Sequence, residues 1–375
     1  MSSSHQISAI RQQLDHIDHD LTKQLIARFQ SIQSILHAKQ GLDWPARDHG
    51  REAQILQGIQ ALAEQENVDP SPIVRLFKTI MQESVKLQKK ARGHAPSPQT
   101  LPPSLSEALE KKSYKLASRL NHIEDSLVSV NEVVIGGDHR TVIAGPCAVE
   151  SEGQIMECAA QAKQQGAHIL RGGCFKPRSS PYSFQGMGVE GLKLLENAGK
   201  EYGLPVVTEV MAIDQVEVVA KHSDLLQVGA RNMQNFDLLR ALGKAGKPVV
   251  LKRGLMATID EWLSSAEYVM AHGNRDVILC ERGIRSFDQS TRNTLDISAV
   301  PVVKERSHLP VIVDPSHAAG KWQYILDLSR ASFAVGAHGI MIEIHPKPEE
   351  ALSDGPQSLK FDRFEALMLA VSPWL

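Results

Sequence analysis

Eight short apolar runs rich in β-branched residues recur along the last two-thirds of the chain, at 141–145, 168–170, 205–207, 225–228, 248–251, 277–279, 310–313 and 339–344. A helix-like stretch separates each run from the next. Apolar runs joined by helices imply parallel strands, because a parallel partner can be reached only through a long crossover. Eight such units are what a (β/α)8 barrel requires. A doubly wound open sheet is the alternative architecture. In either case the side chains just past the carboxyl ends of the strands face a site rather than the core.

Those positions are chemically loaded. The first run leads into Gly-Pro-Cys147, and the second into Arg171, Lys176, Arg178 and Ser179. The third offers Thr208-Glu209, the fourth Gly229-Ala230-Arg231, and the fifth Lys252-Arg253-Gly254. The sixth carries Glu281-Arg282-Gly283 and then Arg285, the seventh Asp314 and His317, and the eighth Glu343, His345 and later Asp354. One Lys or Arg beside a strand is unremarkable. A ring of them implies a strongly anionic substrate, most simply two phosphorylated ligands. In a closed barrel the seventh, eighth and first strands are neighbours, so Cys147, His317, Glu343 and Asp354 are expected to meet. A Cys, a His and two carboxylates suit a divalent Mn, Fe, Co or Zn ion without selecting among them. Taken singly, Cys147 reads equally as a packed thiol, His317 as a hydrogen-bonded loop residue and Asp354 as a turn former. His338 and His345 read as structural, and Cys174 and Cys280 as packed thiols. The GxGxxG match at Gly186–Gly191 follows a polar loop rather than a strand, so it lacks the context of a dinucleotide site.

The N-terminal third has a different period. Ile7, Ile10, Leu14, Ile17, Leu21, Leu25, Ile32 and Ile35 step by three and four, which predicts one long helix to about Lys39. Gly41 and Pro45 end it. A second helix is expected over 48–64 with Asp48 as its cap, and a third over 70–90. The Pro/Ser-rich stretch HAPSPQTLPPSL then reads as a linker. Three helices of unequal length cannot bury so long a stripe, so this segment is expected to dimerise. Arg28 and Lys39 share a face, whereas Arg11 lies about 26 Å from Arg28 along the helix. Both arginines can grip one small anion only if Arg11 comes from a second chain. Asp48, Arg51 and Glu52 share a face of the second helix, and Ser84 and Gln88 one of the third. The plain alternative is a set of solvated charges on a helical dimerisation module. Residues 105–127 are charged and helical in period, and 129–136 read as a short strand that caps one end of the barrel.

The chain's 375 residues exceed one typical domain, and a net charge of -2 supplies no reason to expect nucleic acid or an anionic membrane. No signal peptide or membrane-spanning run is evident. Four scattered cysteines without CxxC point to a reducing, cytoplasmic setting.

Residues 7–90 resemble the all-helical chorismate mutases, with Arg11, Arg28, Lys39, Asp48, Arg51, Glu52, Ser84 and Gln88 at matching spacing. The resemblance implies rearrangement of chorismate to prephenate. Arg28 and the partner chain's Arg11 would hold carboxylates, and Lys39 and Gln88 would address the ether oxygen. Glu52 and Asp48 would bind the hydroxyl or orient neighbours. A domain of this kind can also act as a sensor of pathway products. The segments GPC, RGGCFKPRSSP, GAR, LKRG, CERG, DPSH, EIHP and SDGPQ resemble the type I-beta 3-deoxy-D-arabino-heptulosonate 7-phosphate synthases over roughly 130–375. That resemblance implies condensation of phosphoenolpyruvate with erythrose 4-phosphate. Arg171, Lys176, Arg231, Lys252 and Arg282 would bind phosphoenolpyruvate, with Ala230, Arg285 and Asp314 also on the substrate side. Arg178 and Ser179 would take erythrose 4-phosphate, Ser179 standing where the family usually has Thr. Cys147, His317, Glu343 and Asp354 would hold one divalent metal per barrel, and Glu209 and Lys176 would serve the water and proton steps. The related 3-deoxy-manno-octulosonate 8-phosphate synthases are disfavoured by the KPRSS loop and by the fused helical segment. The expected organisation is a helical domain over 1–92, a connection over 93–129 and a barrel over 130–375. A homodimer through the helical domain, further pairing to a tetramer, and feedback by chorismate or prephenate complete the expectation.

Overall fold

The computed structural model describes residues 3–38, 49–89, 101–176, 180 and 182–375. The chain divides into two compact units, Met1–Thr100 and Leu101–Leu375.

The first unit is helical. Helix α1 (Ser3–Ala38) runs unbroken, as its uninterrupted three-four stripe requires; α2 (His49–Gln65) and α3 (Pro70–Lys89) follow. Between α2 and α3, Asn67 takes a left-handed conformation (φ 56°). The Asp69 carboxylate then accepts the Ser71 amide at 2.9 Å, satisfying a donor of α3's first turn. Ile32, Ala63, Ile80 and Met81 are buried where the three helices meet. Arg28 on α1 donates to Ser84 Oγ on α3 at 2.6 Å. Earlier in the α1 stripe, Ile10, Leu14, Ile17 and Leu21 are 45–60% exposed.

The second unit begins at α4 (Pro103–Glu110), with Pro in its first turn, so the end of the Pro/Ser stretch is helix and not linker. Beyond α4 the helical period over 105–127 misleads, because the chain there is irregular. Tyr114 and Ala117 are fully buried. Arg119 spends its donors on the carbonyls of Ile123, Lys304 and Ser307 and on Asp125. Polar groups with fixed partners hold this segment, in place of a helical ladder.

Strands β1 (Val128–Val130) and β2 (Val133–Ile135) form an antiparallel hairpin. A single strand was the expectation; left-handed Asn131 (φ 52°) turns the chain midway. Val128, Val130 and Ile135 pack against Ile143, Ile169, Val207, Leu225, Val250, Ile278, Ile312 and Met341, one residue from the interior face of every barrel strand. Burying a side chain such as Ile135 is worth roughly 1.5–3 kcal/mol, so the plug contributes to stability as well as shape.

Strands β3 (Thr141–Gly145), β4 (Ile169–Arg171), β5 (Val206–Glu209), β6 (Leu225–Val228), β7 (Val249–Lys252), β8 (Val277–Glu281), β9 (Val311–Val313) and β10 (Gly339–Glu343) close into a parallel barrel. Because β10 pairs with both β9 and β3, the open-sheet alternative is excluded. The register sets Glu343 opposite Gly145 and brings the ends of β9, β10 and β3 into one sector.

His308 fastens the irregular segment to the barrel: its Nδ1 lies 2.7 Å from Ser126 Oγ and its Nε2 2.7 Å from the Leu116 carbonyl. Burial pushes its pKa down to about 4, as it does for His338. An unfolded histidine titrates near 6.5. Between those values the unfolded chain binds more protons, so stability is complete above pH 6.5 and is lost as pH falls toward 4. We expect a lower urea midpoint at pH 5 than at pH 7, with a smaller gap in His308→Gln; an unchanged gap would remove His308 from the account.

Candidate active site at the carboxyl ends of the barrel strands

Gly145, the last residue of β3, has φ 153°, and an added Cβ there would lie 2.0 Å from the Arg171 carbonyl oxygen. Only glycine lets the end of β3 run this close to β4, and Cys147 is thereby turned into the barrel mouth. The Cys147 thiol approaches Ser353 Oγ (3.1 Å), Asp354 Oδ2 (3.4 Å) and Lys176 Nζ (3.0 Å). One donor atom from each of Cys147, His317, Glu343 and Asp354 lies within 4.8 Å of the others.

Asp314 begins the short helix Pro315–Ala319 and accepts the His317 backbone amide at 2.9 Å. The same carboxylate sits 2.7 Å from His317 Nδ1 and 2.5 Å from Lys252 Nζ. Burial opposes its charge, but His317 and Lys252 outweigh burial and hold it well below the ordinary carboxylate range. A carboxylate only accepts, so His317 keeps a proton on Nδ1 toward Asp314; its Nε2 faces Glu343 Oε1 at 3.3 Å and is the nitrogen that can exchange its proton for an ion. Burial also pushes His317 below its usual pKa, which eases loss of its Nε2 proton when a metal binds. Glu343 is fully buried; His317 and Arg171 overcome the desolvation and hold it at about 2. The Cys147 thiol is pushed up to about 12, mainly by burial and next by Glu343. One thiol, one neutral imidazole and two carboxylates at this spacing fit a first-row divalent ion, whose charge would offset both the carboxylates and the buried thiolate.

Beside the cluster opens a cavity of about 310 Å³. Lys176, Ala230, Arg231, Lys252, Arg282, Arg285 and Arg292 line it together with Glu209, His317 and Asp354. Arg282 is buried, and its Nη1 has no hydrogen-bond partner among the described residues. An orphaned buried guanidinium donor is costly unless a ligand takes it. A larger groove of about 760 Å³ opens at the other end of the barrel beside Asn131 and Glu132. Lys163, Lys200 and Lys221 there are solvent-exposed and the groove contains none of the donor cluster, so the chemistry belongs to the smaller cavity.

The structure separates the expected site residues into groups. The four candidate ligands come together, as do Lys176, Glu209, Ala230, Arg231, Lys252, Arg282 and Arg285 around the cavity. Arg171 and Asp314 do not line it. Arg171 is buried against Glu343 at 2.7 Å, and Asp314 pairs with Lys252 and His317, one contact behind the cavity lining. Arg178 and Ser179 lie outside the described residues, as do Lys39 and Asp48, and so do the side chains of Glu52 and Gln88. Arg11 is exposed on α1, Arg51 Nη1 lies 3.4 Å from Gln54 Oε1 on α2, and Arg28 meets Ser84. Sequence reasoning missed Arg292 and Gln357. Arg292 sits in a polar loop without periodicity, and Gln357 carries no charge to draw notice.

A (β/α)8 barrel with a cationic cavity beside a four-donor cluster defines an enzyme acting on small anions at the carboxyl ends of its strands. Residues 111–372 match the DAHP synthetase I family, and residues 10–89 match chorismate mutase type II. A phospho-2-dehydro-3-deoxyheptonate aldolase of Thermotoga maritima is 54% identical over 257 residues, covering 68% of this chain and 76% of that protein. The crystal structure of a Thermotoga maritima DAHP synthase agrees with a TM-score of 0.69 at 50% identity, covering 72% of this chain and 82% of that one. A 2-dehydro-3-deoxyphosphooctonate aldolase of Syntrophotalea carbinolica is more distant, 33% identical over 255 residues that cover 63% of this chain and 91% of that protein. The chain belongs to the DAHP synthetase I family: it is a DAHP synthase barrel carrying an N-terminal chorismate mutase domain.

Proposed function

We propose that the barrel joins phosphoenolpyruvate, erythrose 4-phosphate and water into 3-deoxy-D-arabino-heptulosonate 7-phosphate and phosphate. The observation that carries this reading is the orphaned Arg282 Nη1 in a ring of cations next to four metal-type donors. Arg231, Lys252 and Arg282, with the Ala230 backbone, take the phosphate and carboxylate of phosphoenolpyruvate, where the buried Lys252 and Arg282 hold it for attack. Lys176 spans that site and Cys147. Arg285, with Arg178 and Ser179 of the KPRSS loop, takes the phosphate of erythrose 4-phosphate. Cys147, His317, Glu343 and Asp354 hold one divalent ion, whose chemistry when bound is Lewis-acid polarisation of the aldehyde. Carbon 3 of phosphoenolpyruvate attacks the aldehyde carbon, water adds at carbon 2, and phosphate departs. Glu209, oriented by Gln227 at 3.3 Å, and Lys176 are placed to move the protons of these steps. Arg171 and Asp314 act one contact back, setting Glu343, His317 and Lys252. The full chain should release phosphate with erythrose 4-phosphate and much more slowly with arabinose 5-phosphate. The reverse preference would assign it to the octulosonate branch.

The helical segment, taken as residues 1–92 with 93–129 leading to the barrel proper, is proposed to convert chorismate to prephenate. Arg28 holds a carboxylate beside Ser84, and the partner chain's copy of Arg11 supplies the second grip. Lys39, Asp48, Arg51, Glu52 and Gln88 complete the set. The half-exposed stripe Ile10, Leu14, Ile17 and Leu21 supports a homodimer through this segment, which the tetramer extends. Feedback by chorismate or prephenate at this same site, and a cytoplasmic setting, follow from the placement of a mutase ahead of a synthase. Among the described residues no helix is long and apolar enough to cross a membrane. In the full chain, Arg28→Ala should lower chorismate turnover by roughly a hundredfold or more, the scale of losing one preorganised charge contact, while the synthase rate stays. Chorismate binding without turnover by the unaltered chain would make the segment a sensor.

A further inference from the structure

The two carboxylates of the donor cluster each have their oxygens divided between an inner and an outer partner. Glu343 Oε1 faces inward, 2.7 Å from Arg171 Nη1 and 3.3 Å from His317 Nε2, whereas its Oε2 accepts from Gln357 Nε2 at 2.6 Å. Asp354 Oδ2 lies 3.4 Å from Cys147 Sγ, whereas its Oδ1 lies 3.3 Å from Arg292 Nη1. The same Nη1 donates to Gln357 Oε1 at 2.9 Å. A guanidinium only donates and a carboxylate only accepts, so the buried Gln357 amide between them has one satisfactory orientation. Arg292 therefore engages the outer oxygen of both carboxylates, one directly and one through a single amide.

Arg292 is itself fixed against the helix that carries His317. Its amide donates to the Ala319 carbonyl at 3.0 Å. Gly320, which ends that helix at φ 67°, leaves room for it: an added Cβ would lie 2.5 Å from Arg292 Cβ. The same residue thus touches the segments bearing His317 and Asp354 directly and reaches Glu343 through Gln357.

We propose that Arg292 and Gln357 form a clamp that offers one oxygen from each carboxylate to the ion and thereby sets which ion the cluster accepts. The inference rests on the metal reading above. Partners behind a metal ligand orient it, and their loss typically weakens binding about 10–100-fold. Calcium takes six to eight oxygens and favours carboxylates that bind through both oxygens. Occupied outer oxygens disfavour that geometry; smaller first-row ions do not require it.

The test is direct metal binding by the full-length chain freed of metal, using manganese and calcium salts in competition with a fluorescent chelator. In Arg292→Ala and, by a separate route, Gln357→Met, manganese affinity should fall about 10–100-fold, while calcium affinity holds or rises. The manganese-to-calcium preference should therefore narrow at least tenfold. Thermal melting of the metal-free forms reports whether each variant folds, and two unrelated substitutions guard against one that does not. Parallel weakening of both ions, or unchanged binding in both variants, would overturn the clamp and leave the metal site standing. Absence of manganese binding by the unaltered chain would overturn the metal reading together with it.

Discussion

Cys147→Ala leaves a folded barrel that no longer retains its ion and condenses its substrates at least a thousandfold more slowly. As a proposed direct donor, the thiol should cost more when removed than the roughly 10–100-fold penalty for a group that only orients a ligand. Fold is spared because alanine is smaller than the thiol and the site is lined by polar partners: Ser353, Asp354 and Lys176 remain to pair among themselves. Burial pushes the free thiol up to about 12, so metal binding at neutral pH must drive off its proton. Loading the unaltered chain should therefore release a proton that loading Cys147→Ala does not. Metal content after dialysis, proton release and the condensation rate are the three readouts. A variant that keeps its ion and its rate would show the thiol to be a packing residue.

Arg253→Met should destabilise the barrel by about 3–5 kcal/mol, the cost of stranding a buried charge by removing its partner. Arg253 Nη1 bridges Glu281 Oε2 at 2.9 Å and Asp296 Oδ2 at 2.7 Å, and its Nε donates to the Ala257 carbonyl at 2.9 Å. Glu281 is fully buried, and its second oxygen accepts the Gly283 amide at 2.6 Å. The group ties the ends of β7 and β8, whose next residues along the mouth include Lys252 and Arg282. Removing the arginine leaves Glu281 charged in the interior or forces it to protonate. The double variant Arg253→Met, Glu281→Gln removes both charges and should recover most of the loss. Urea unfolding of the barrel transition measures this. A single variant as stable as the unaltered chain would mean that water or rearrangement reaches Glu281.

The barrel was legible because its strands are buried on both faces and so read as continuous apolar runs at a regular spacing. The donor cluster was legible for a topological reason: closing the barrel makes β9, β10 and β3 neighbours, and their loops then converge. What sequence pattern could not convey was which polar residues face the cavity. Arg171 and Lys252 occupy the same kind of position at strand ends, yet Arg171 points at Glu343 and Lys252 lines the cavity. The helical period over 105–127 held only to Glu110, where α4 ends; beyond it Arg119 binds the Lys304 and Ser307 carbonyls and Lys112 pairs with Asp260 in place of a helical ladder. The β1–β2 hairpin was half seen, since a single left-handed Asn131 divides an otherwise continuous apolar stretch. Arg292 and Gln357 were unreadable because their roles exist only between loops far apart in the chain.

Cys147, His317, Glu343 and Asp354 are proposed to form one metal centre that serves the barrel's reaction. The direct measurement is condensation of phosphoenolpyruvate with erythrose 4-phosphate by the full-length protein, before and after exhaustive chelation, with metal returned in steps. Condensation should stop on chelation while chorismate turnover continues, and one equivalent of manganese, iron, cobalt or zinc per chain should restore it. Undiminished condensation by protein shown to contain no metal would contradict this assignment.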